Sequence, residues 1–326
     1  MDSYLRTFYQ KQPGSVSLRF PCNEHSQSAI VTTTQSIETM IKSNAIYFAA
    51  MLAFTTLLTS CGNDNASKEG TSAAISDSLT SKETTQNIKE EEISFTSGGT
   101  ELKSFIAWDG STNDKRPIIL VVPEWWGLTE YPRMRARQLA ALGYFAMAVD
   151  MYGEGKIAAN PDEAQKAATP FYQNPQEAKA RLDAALAKAR TYAQADTSKT
   201  AAIGYCFGGS MVLNAAKLGS DFDGVVSFHG GLEGVPPSKG LLKSKVLVAH
   251  GEADSFVPPA QVTAFRKSMD SVGANYTFIG YPNATHAFTN PDADKKAAEF
   301  GMPIKYNGAA DTASWNDMKS FLKGLF

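Results

Sequence analysis

Between residue 93 and the C-terminus, short apolar runs alternate with longer stretches of helical spacing, and that alternation restricts the fold more than any other feature. Residues 93–96 and 102–108 read as an antiparallel pair around Gly98-Gly99, and 118–122 is a continuous apolar run of the kind buried in a parallel sheet. Residues 131–142 follow with helical spacing and stop at Gly143. The alternation continues: strand 144–149, helix 176–194, strand 201–204, helix 208–218, strands 224–228 and 246–249, helix 260–272, strand 276–279 and a closing helix over 313–325. Strands separated by helices predict an α/β fold, a mostly parallel doubly wound sheet with helices on both faces. Such sheets form their ligand crevices at the carboxyl ends of the strands. No internal repeat or second core-sized block is present, so one domain is expected over 93–326.

Chemistry at those strand ends is most pronounced in Gly204-Tyr205-Cys206-Phe207-Gly208-Gly209, which joins a strand to a helix. A nucleophile flanked by small residues at such a turn is the elbow pattern, with cysteine in place of the usual serine. A thiol at a helix start meets unpaired N–H groups and the positive end of the dipole, which favour thiolate. Of the four histidines, His25 precedes the domain, while His229 and His250 each end a strand before a glycine; His286, in a polar loop after the strand 276–279, is the expected base. Asp254, a short loop beyond the strand 246–249, is the expected orienter of that base; Asp221, Asp223 and Asp270 are rivals less well placed. The order nucleophile, acid, histidine is the one used by α/β-hydrolases.

Ahead of the domain, Met40-Ile-Lys-Ser-Asn opens onto an apolar stretch of about 14 residues ending Leu58-Thr59-Ser60-Cys61. A basic start, a short apolar stretch and a small-residue exit describe a secretory signal over 40–60, too short for an ordinary membrane span. The ending resembles the lipobox of bacterial lipoproteins, so Cys61 is the expected lipidation site, anchoring the chain at the cell envelope on a periplasmic or outer-membrane face. Residues 1–39 are then a misassigned or disordered extension. Residues 61–92, poor in large apolar side chains and ending in Lys89-Glu90-Glu91-Glu92, read as a flexible tether.

Other functions are disfavoured by composition. Lys+Arg 31 against Asp+Glu 33 leaves a formal charge of −2, no basis for holding nucleic acid. The three cysteines form no C-x-x-C pair, and no zincin, phosphate-loop or dinucleotide motif is present, so neither a metal nor a cofactor is expected. A monomer is the expected state.

These residues resemble the dienelactone hydrolase family of α/β-hydrolases: Gly-Tyr-Cys-Phe-Gly-Gly, His250-Gly-x-x-Asp254, Thr285-His286-x-Phe288, and upstream Val-Val-Pro-Glu124-Trp125-Trp126-Gly with Asp150-Met151-Tyr152-Gly153. The resemblance implies a hydrolase that cleaves a small-molecule ester or lactone, with Glu124 contacting the nucleophile and helping to deprotonate it when substrate arrives, and the backbone N–H groups of Trp125 and Phe207 forming an oxyanion hole. Where the family's two substrate-binding arginines stand, this chain has Glu154 and Asn290, so a carboxylated substrate is not expected. Trp125, Trp126, Tyr152 and Phe288 either line an aromatic substrate pocket or belong to the core. A carboxylesterase, a carbohydrate-ester deacetylase, and a binding lipoprotein without turnover are the alternatives.

Overall fold

The computed structural model describes residues 87–326; the expected export signal, the Cys61 anchor and most of the tether lie outside them. Eight strands form one sheet in the order β1-β2-β4-β3-β5-β6-β7-β8. The strands are β1 (Ile88–Ser97), β2 (Thr100–Asp109), β3 (Arg116–Val122), β4 (Phe145–Ala148), β5 (Ala195–Tyr205), β6 (Gly224–Phe228), β7 (Lys245–Gly251) and β8 (Tyr276–Tyr281). β1 and β2 form an antiparallel hairpin and β2 meets β4 antiparallel; every other neighbouring pair is parallel.

The period of two along β3 assigns the two faces. Ile118, Leu120 and Val122 enter one core with residues of α2 (Pro161–Gln173), α3 (Pro175–Ala189), α4 (Phe207–Lys217) and α5 (Pro259–Ser271). Ile119 and Val121 enter the other, against α1 (Glu130–Ala141) and α7 (Gly308–Lys323). All five β3 side chains are fully buried, and each contributes about 1.5–3 kcal/mol relative to exposure. Helices therefore cover both faces, as the apolar runs required.

Three elements depart from expectation. β1 begins at Ile88, so Lys89-Glu90-Glu91-Glu92 belongs to an edge strand rather than to the tether. The charges are held there by pairing: Glu90 with Arg137, Glu92 with Arg133, and Glu91 with the Tyr192 hydroxyl. Such charges also keep an exposed sheet edge from recruiting another chain. α2 and α6 (Ala293–Phe300) were not anticipated. α2 starts on Asn160, whose side chain caps the Glu163 N–H, with Pro161 at its first position; Pro170 inside it masked the helical pattern.

Candidate active site

The turn between β5 and α4 carries the elbow. Cys206 has φ 53° and ψ −115°, a conformation that costs a non-glycine residue about 1–3 kcal/mol. It persists because the surroundings leave no alternative. A Cβ on Gly204 would lie 2.1 Å from the Gly208 carbonyl oxygen, and one on Gly208 would lie 2.3 Å from that of Val122. The flanking glycines thus let α4 close down on β5 and β3, and the Gly208 N–H donates to the Pro123 carbonyl at 3.0 Å.

Three separate loops converge on the sulfur. His286, between β8 and α6, places Nε2 3.0 Å from Cys206 Sγ and Nδ1 2.8 Å from Asp254 Oδ2. Asp254, in the loop after β7, is buried, and its other oxygen accepts the Phe256 N–H at 2.9 Å. A carboxylate so held accepts a hydrogen bond from the Nδ1–H and turns Nε2 toward the sulfur. Burial opposes charge on the imidazole, but the facing Cys206 sulfur and the hydrogen bonds to Asp254 and Cys206 outweigh it and hold the His286 pKa well above the ordinary histidine value. The structure thus brings all three residues of the expected nucleophile, acid and base together.

Glu124 sits differently from its expected place. It is buried at 4% exposure, and its Oε2 accepts from Asn290 Nδ2 at 2.7 Å, while among the described residues Oε1 has no hydrogen-bonding partner. No hydrogen bond joins it to Cys206, whose sulfur faces His286 instead. Burial pushes the Glu124 carboxyl up to about 7, against the opposing Asn290 hydrogen bond and the charges of His286 and Lys296. The sign for stability follows from the unfolded chain, in which this carboxyl titrates at its ordinary 4.5. Stability from the neutral form is complete below that value and is lost as pH rises through about 7. Glu124→Gln should therefore gain on the parent between acid and mildly alkaline pH, by on the order of 3 kcal/mol. Urea midpoints measured at both ends of that range test it; parallel curves for the two proteins would contradict the buried neutral carboxyl.

Trp125 and Phe207 are the residues expected to offer their N–H groups. Trp125 lies in the turn closed by the Gly127 N–H donating to the Glu124 carbonyl at 3.1 Å, and Phe207 opens α4. The Trp125 carbonyl accepts the Tyr152 hydroxyl at 2.9 Å. Tyr152 is in turn fixed by Asp150, whose carboxylate accepts the N–H groups of Lys103, Tyr152, Gly153 and Gly155 at 2.8–3.0 Å. Tyr152 lines a cleft of about 190 Å³ with Lys156, Lys166 and Phe171. Its ring meets Phe171 and Phe207 at 6.0 and 5.6 Å.

Two of the expected pocket walls are core residues. Phe288 is fully buried against Tyr281 and His229, within the core that α1 and α7 cover. Trp126 is 3% exposed, stacked on Phe300 at 5.7 Å with the Lys296 ammonium 3.9 Å from its ring centroid. The wall facing the elbow comes instead from α2, which supplies Phe171 and Tyr172 against Phe207. The sequence signal for them, a Phe-Tyr pair before Gln173, was hidden by the unrecognised helix. The Asn290 contact to Glu124 and the His229 contact to Cys206, at 3.1 Å from its N–H to Nδ1, were also missed, since each joins distant segments. Among the described residues no group of three or more His, Cys, Asp or Glu side chains is arranged to hold a metal ion.

The dienelactone hydrolase family profile matches residues 105–326. An uncharacterised protein of Caenorhabditis elegans is 35% identical over 154 residues, 45% of this chain and 94% of that protein. A Methylorubrum extorquens protein provisionally named carboxymethylenebutenolidase is 31% identical over 183 residues, 53% of this chain and 63% of its own length. Among solved structures, a dienelactone hydrolase-like promiscuous phosphotriesterase from metagenomic libraries superposes with a TM-score of 0.69 at 31% identity, covering 73% of this chain and 99% of that one.

Proposed function

From the premise that this chain belongs to the dienelactone hydrolase family, we propose that it cleaves neutral carboxylic esters or lactones through an acyl-enzyme on Cys206. The observation that carries the reading is the Cys206 sulfur 3.0 Å from an imidazole that is itself held 2.8 Å from a buried carboxylate. A proton taken up by His286 leaves a thiolate beside an imidazolium that Asp254 stabilises. The sulfur attacks the substrate carbonyl, and the oxyanion is taken by the N–H groups of Phe207 and Trp125. His286 then gives its proton to the departing alkoxide, which leaves as alcohol, or as the free end of an opened lactone. Water deprotonated by His286 attacks the thioester, the C–S bond breaks and the acid departs, returning the proton to the pair. Glu124, its carboxyl pushed up to about 7 by burial, sets less negative charge against the thiolate than an ordinary carboxylate would.

The choice of neutral substrates rests on Glu154 and Asn290. Glu154 is exposed and pairs with Lys103, and Asn290 spends its amide on Glu124. Neither offers a guanidinium fork to a substrate carboxylate, an interaction worth about 1.5–3 kcal/mol per bond. The full chain should therefore hydrolyse a neutral lactone or nitrophenyl acetate with kcat/KM at least ~10-fold above that for a carboxylated lactone of the same ring. Equal or inverted preference would overturn the substrate class, and absence of hydrolysis of every ester in the panel would favour a binding protein. We propose further that Cys61 carries a lipid anchor at the cell envelope, supported by the Leu-Thr-Ser-Cys ending of the apolar stretch. Cys61→Ser should then move the protein from the membrane to the soluble fraction of a bacterial host, and unchanged fractionation would refute the anchor.

A further inference from the structure

The reaction just described leaves a second buried histidine unused. His229 directly follows β6 with φ 39°, left-handed backbone in a residue that is not glycine, and is 1% exposed. Its Nδ1 accepts the N–H of Cys206 itself at 3.1 Å, sharing that N–H with the Phe228 carbonyl at 3.0 Å. That bond leaves the ring proton on Nε2, which donates to Thr289 Oγ1 at 2.7 Å. Thr289 is fully buried and follows His286 by three residues on the same loop. Its hydroxyl is also hydrogen-bonded to the Tyr131 hydroxyl at 2.7 Å, and its carbonyl accepts from Arg135 at 2.7 Å. Arg135 is itself buried and paired with Asp311 of α7 at 2.5 Å. A continuous polar chain thus runs from the nucleophile's backbone to the loop of the base, and on to α1 and α7.

We propose that His229 and Thr289 are positioning residues, latching the loop that carries His286 to the turn that carries Cys206 and so holding imidazole and sulfur at proton-transfer distance. The proposal rests on the acyl-enzyme reading of that pair. Asp254 orients the ring but belongs to a third loop, so it does not tie the base to the nucleophile's turn. The His229 ring adds an edge-to-face contact with His286 at 5.2 Å. Burial, together with the charges of His286 and Arg135, holds the His229 pKa well below the ordinary value. The latch therefore stays neutral, with its proton on the side facing Thr289. A misplacement of about 1 Å between reacting groups costs as much as ~100-fold in rate; the other tie from the His286 loop, Asn290 to Glu124, reaches the elbow only indirectly, through Pro123, whose carbonyl accepts the Gly208 N–H.

The charged and titratable groups facing the pair are Asp254, Glu124, His229 and His250 around His286, and Tyr152 and Tyr172 around Cys206. Substitution at Thr289 changes none of them. Thr289→Val keeps the side-chain shape and removes the hydroxyl, while Thr289→Ser keeps the hydroxyl. In the full chain, three quantities separate positioning from structure: kcat and KM on nitrophenyl acetate, the melting temperature, and the iodoacetamide alkylation rate at mildly acidic pH, read on the Cys206 peptide by mass spectrometry. Thr289→Val should lose at least ~10-fold in kcat with KM within about twofold, and alkylation should slow by a similar factor. Thr289→Ser should restore both to within about threefold. Thr289→Val alkylated at the parental rate, whatever its melting temperature, would overturn the latch, as would Thr289→Ser behaving like Thr289→Val. Should Thr289→Val not fold, His229→Asn decides the matter: it keeps an acceptor for the Cys206 N–H, loses the reach to Thr289 and should show the same slowed alkylation, parental alkylation being the refutation. Alkylation requires no turnover, so these outcomes stand apart from loss of the acyl-enzyme reading, which activity retained in Cys206→Ala would bring about.

Discussion

Cys206→Ala is expected to lower ester turnover by at least about 10³-fold, with a melting temperature within a few degrees of the parent. The loss is large because the step removed is bond formation itself; His286, the two N–H groups and the cleft remain, but nothing of comparable nucleophilicity stands in the sulfur's place. Stability should change little, because alanine occupies the same turn with the same strained backbone and the cysteine contributes only a partly buried side chain. Initial rates on nitrophenyl acetate, set beside thermal melts of both proteins, check the two halves of the expectation. Activity surviving in the variant would mean that another residue is the nucleophile.

The second large effect is on folding rather than chemistry. Gly204→Ala should destabilise the protein by more than about 3 kcal/mol, or prevent recovery of soluble chain, although it adds only one methyl group. The added Cβ would lie 2.1 Å from the Gly208 carbonyl oxygen and 2.6 Å from the Gly209 nitrogen, backbone atoms of the first turn of α4 that no rotamer change can move aside. Relief requires α4, buried along its whole length, to shift off β5. Denaturant unfolding compares the variant with Gly273→Ala, a positive-φ glycine whose added Cβ meets nothing within 4 Å, so that only backbone strain is felt. Equal losses at the two positions would show that close approach is not what demands glycine at the elbow.

How much of this was readable in advance differs by element. β3 was legible because both its faces are buried, so a continuous apolar run was the only pattern it could have. Cys206, Asp254 and His286 were legible because an elbow demands small neighbours and because strand ends of a parallel sheet share one edge, which makes chain order a guide to proximity. The pocket was not. Phe288 and Trp126 adjoin catalytic motifs in sequence, but adjacency along the chain does not fix which way a side chain points, and both turn into the core. α2 escaped because Pro170 lies inside it, and with it went Phe171 and Tyr172. Glu90 to Glu92 read as solvent-borne tether because no local signal tells a charged edge strand from a linker; their partners are Arg137 and Arg133 on α1 and the Tyr192 hydroxyl. His229 read as an ordinary strand end because its partners, Cys206 of the elbow and Thr289 of the His286 loop, come from distant segments that only the folded chain brings together.

The most direct test of the central claim is to quench the reaction of the full chain with a nitrophenyl ester within its first turnovers and locate the acyl group by mass spectrometry of the digested protein. A mass increase equal to the acyl group on the Cys206 peptide, absent from Cys206→Ala and accumulating when His286 is replaced by a residue unable to activate water, is the predicted result. An acyl group found on another residue, or turnover with no acylated species at any quench time, would contradict it.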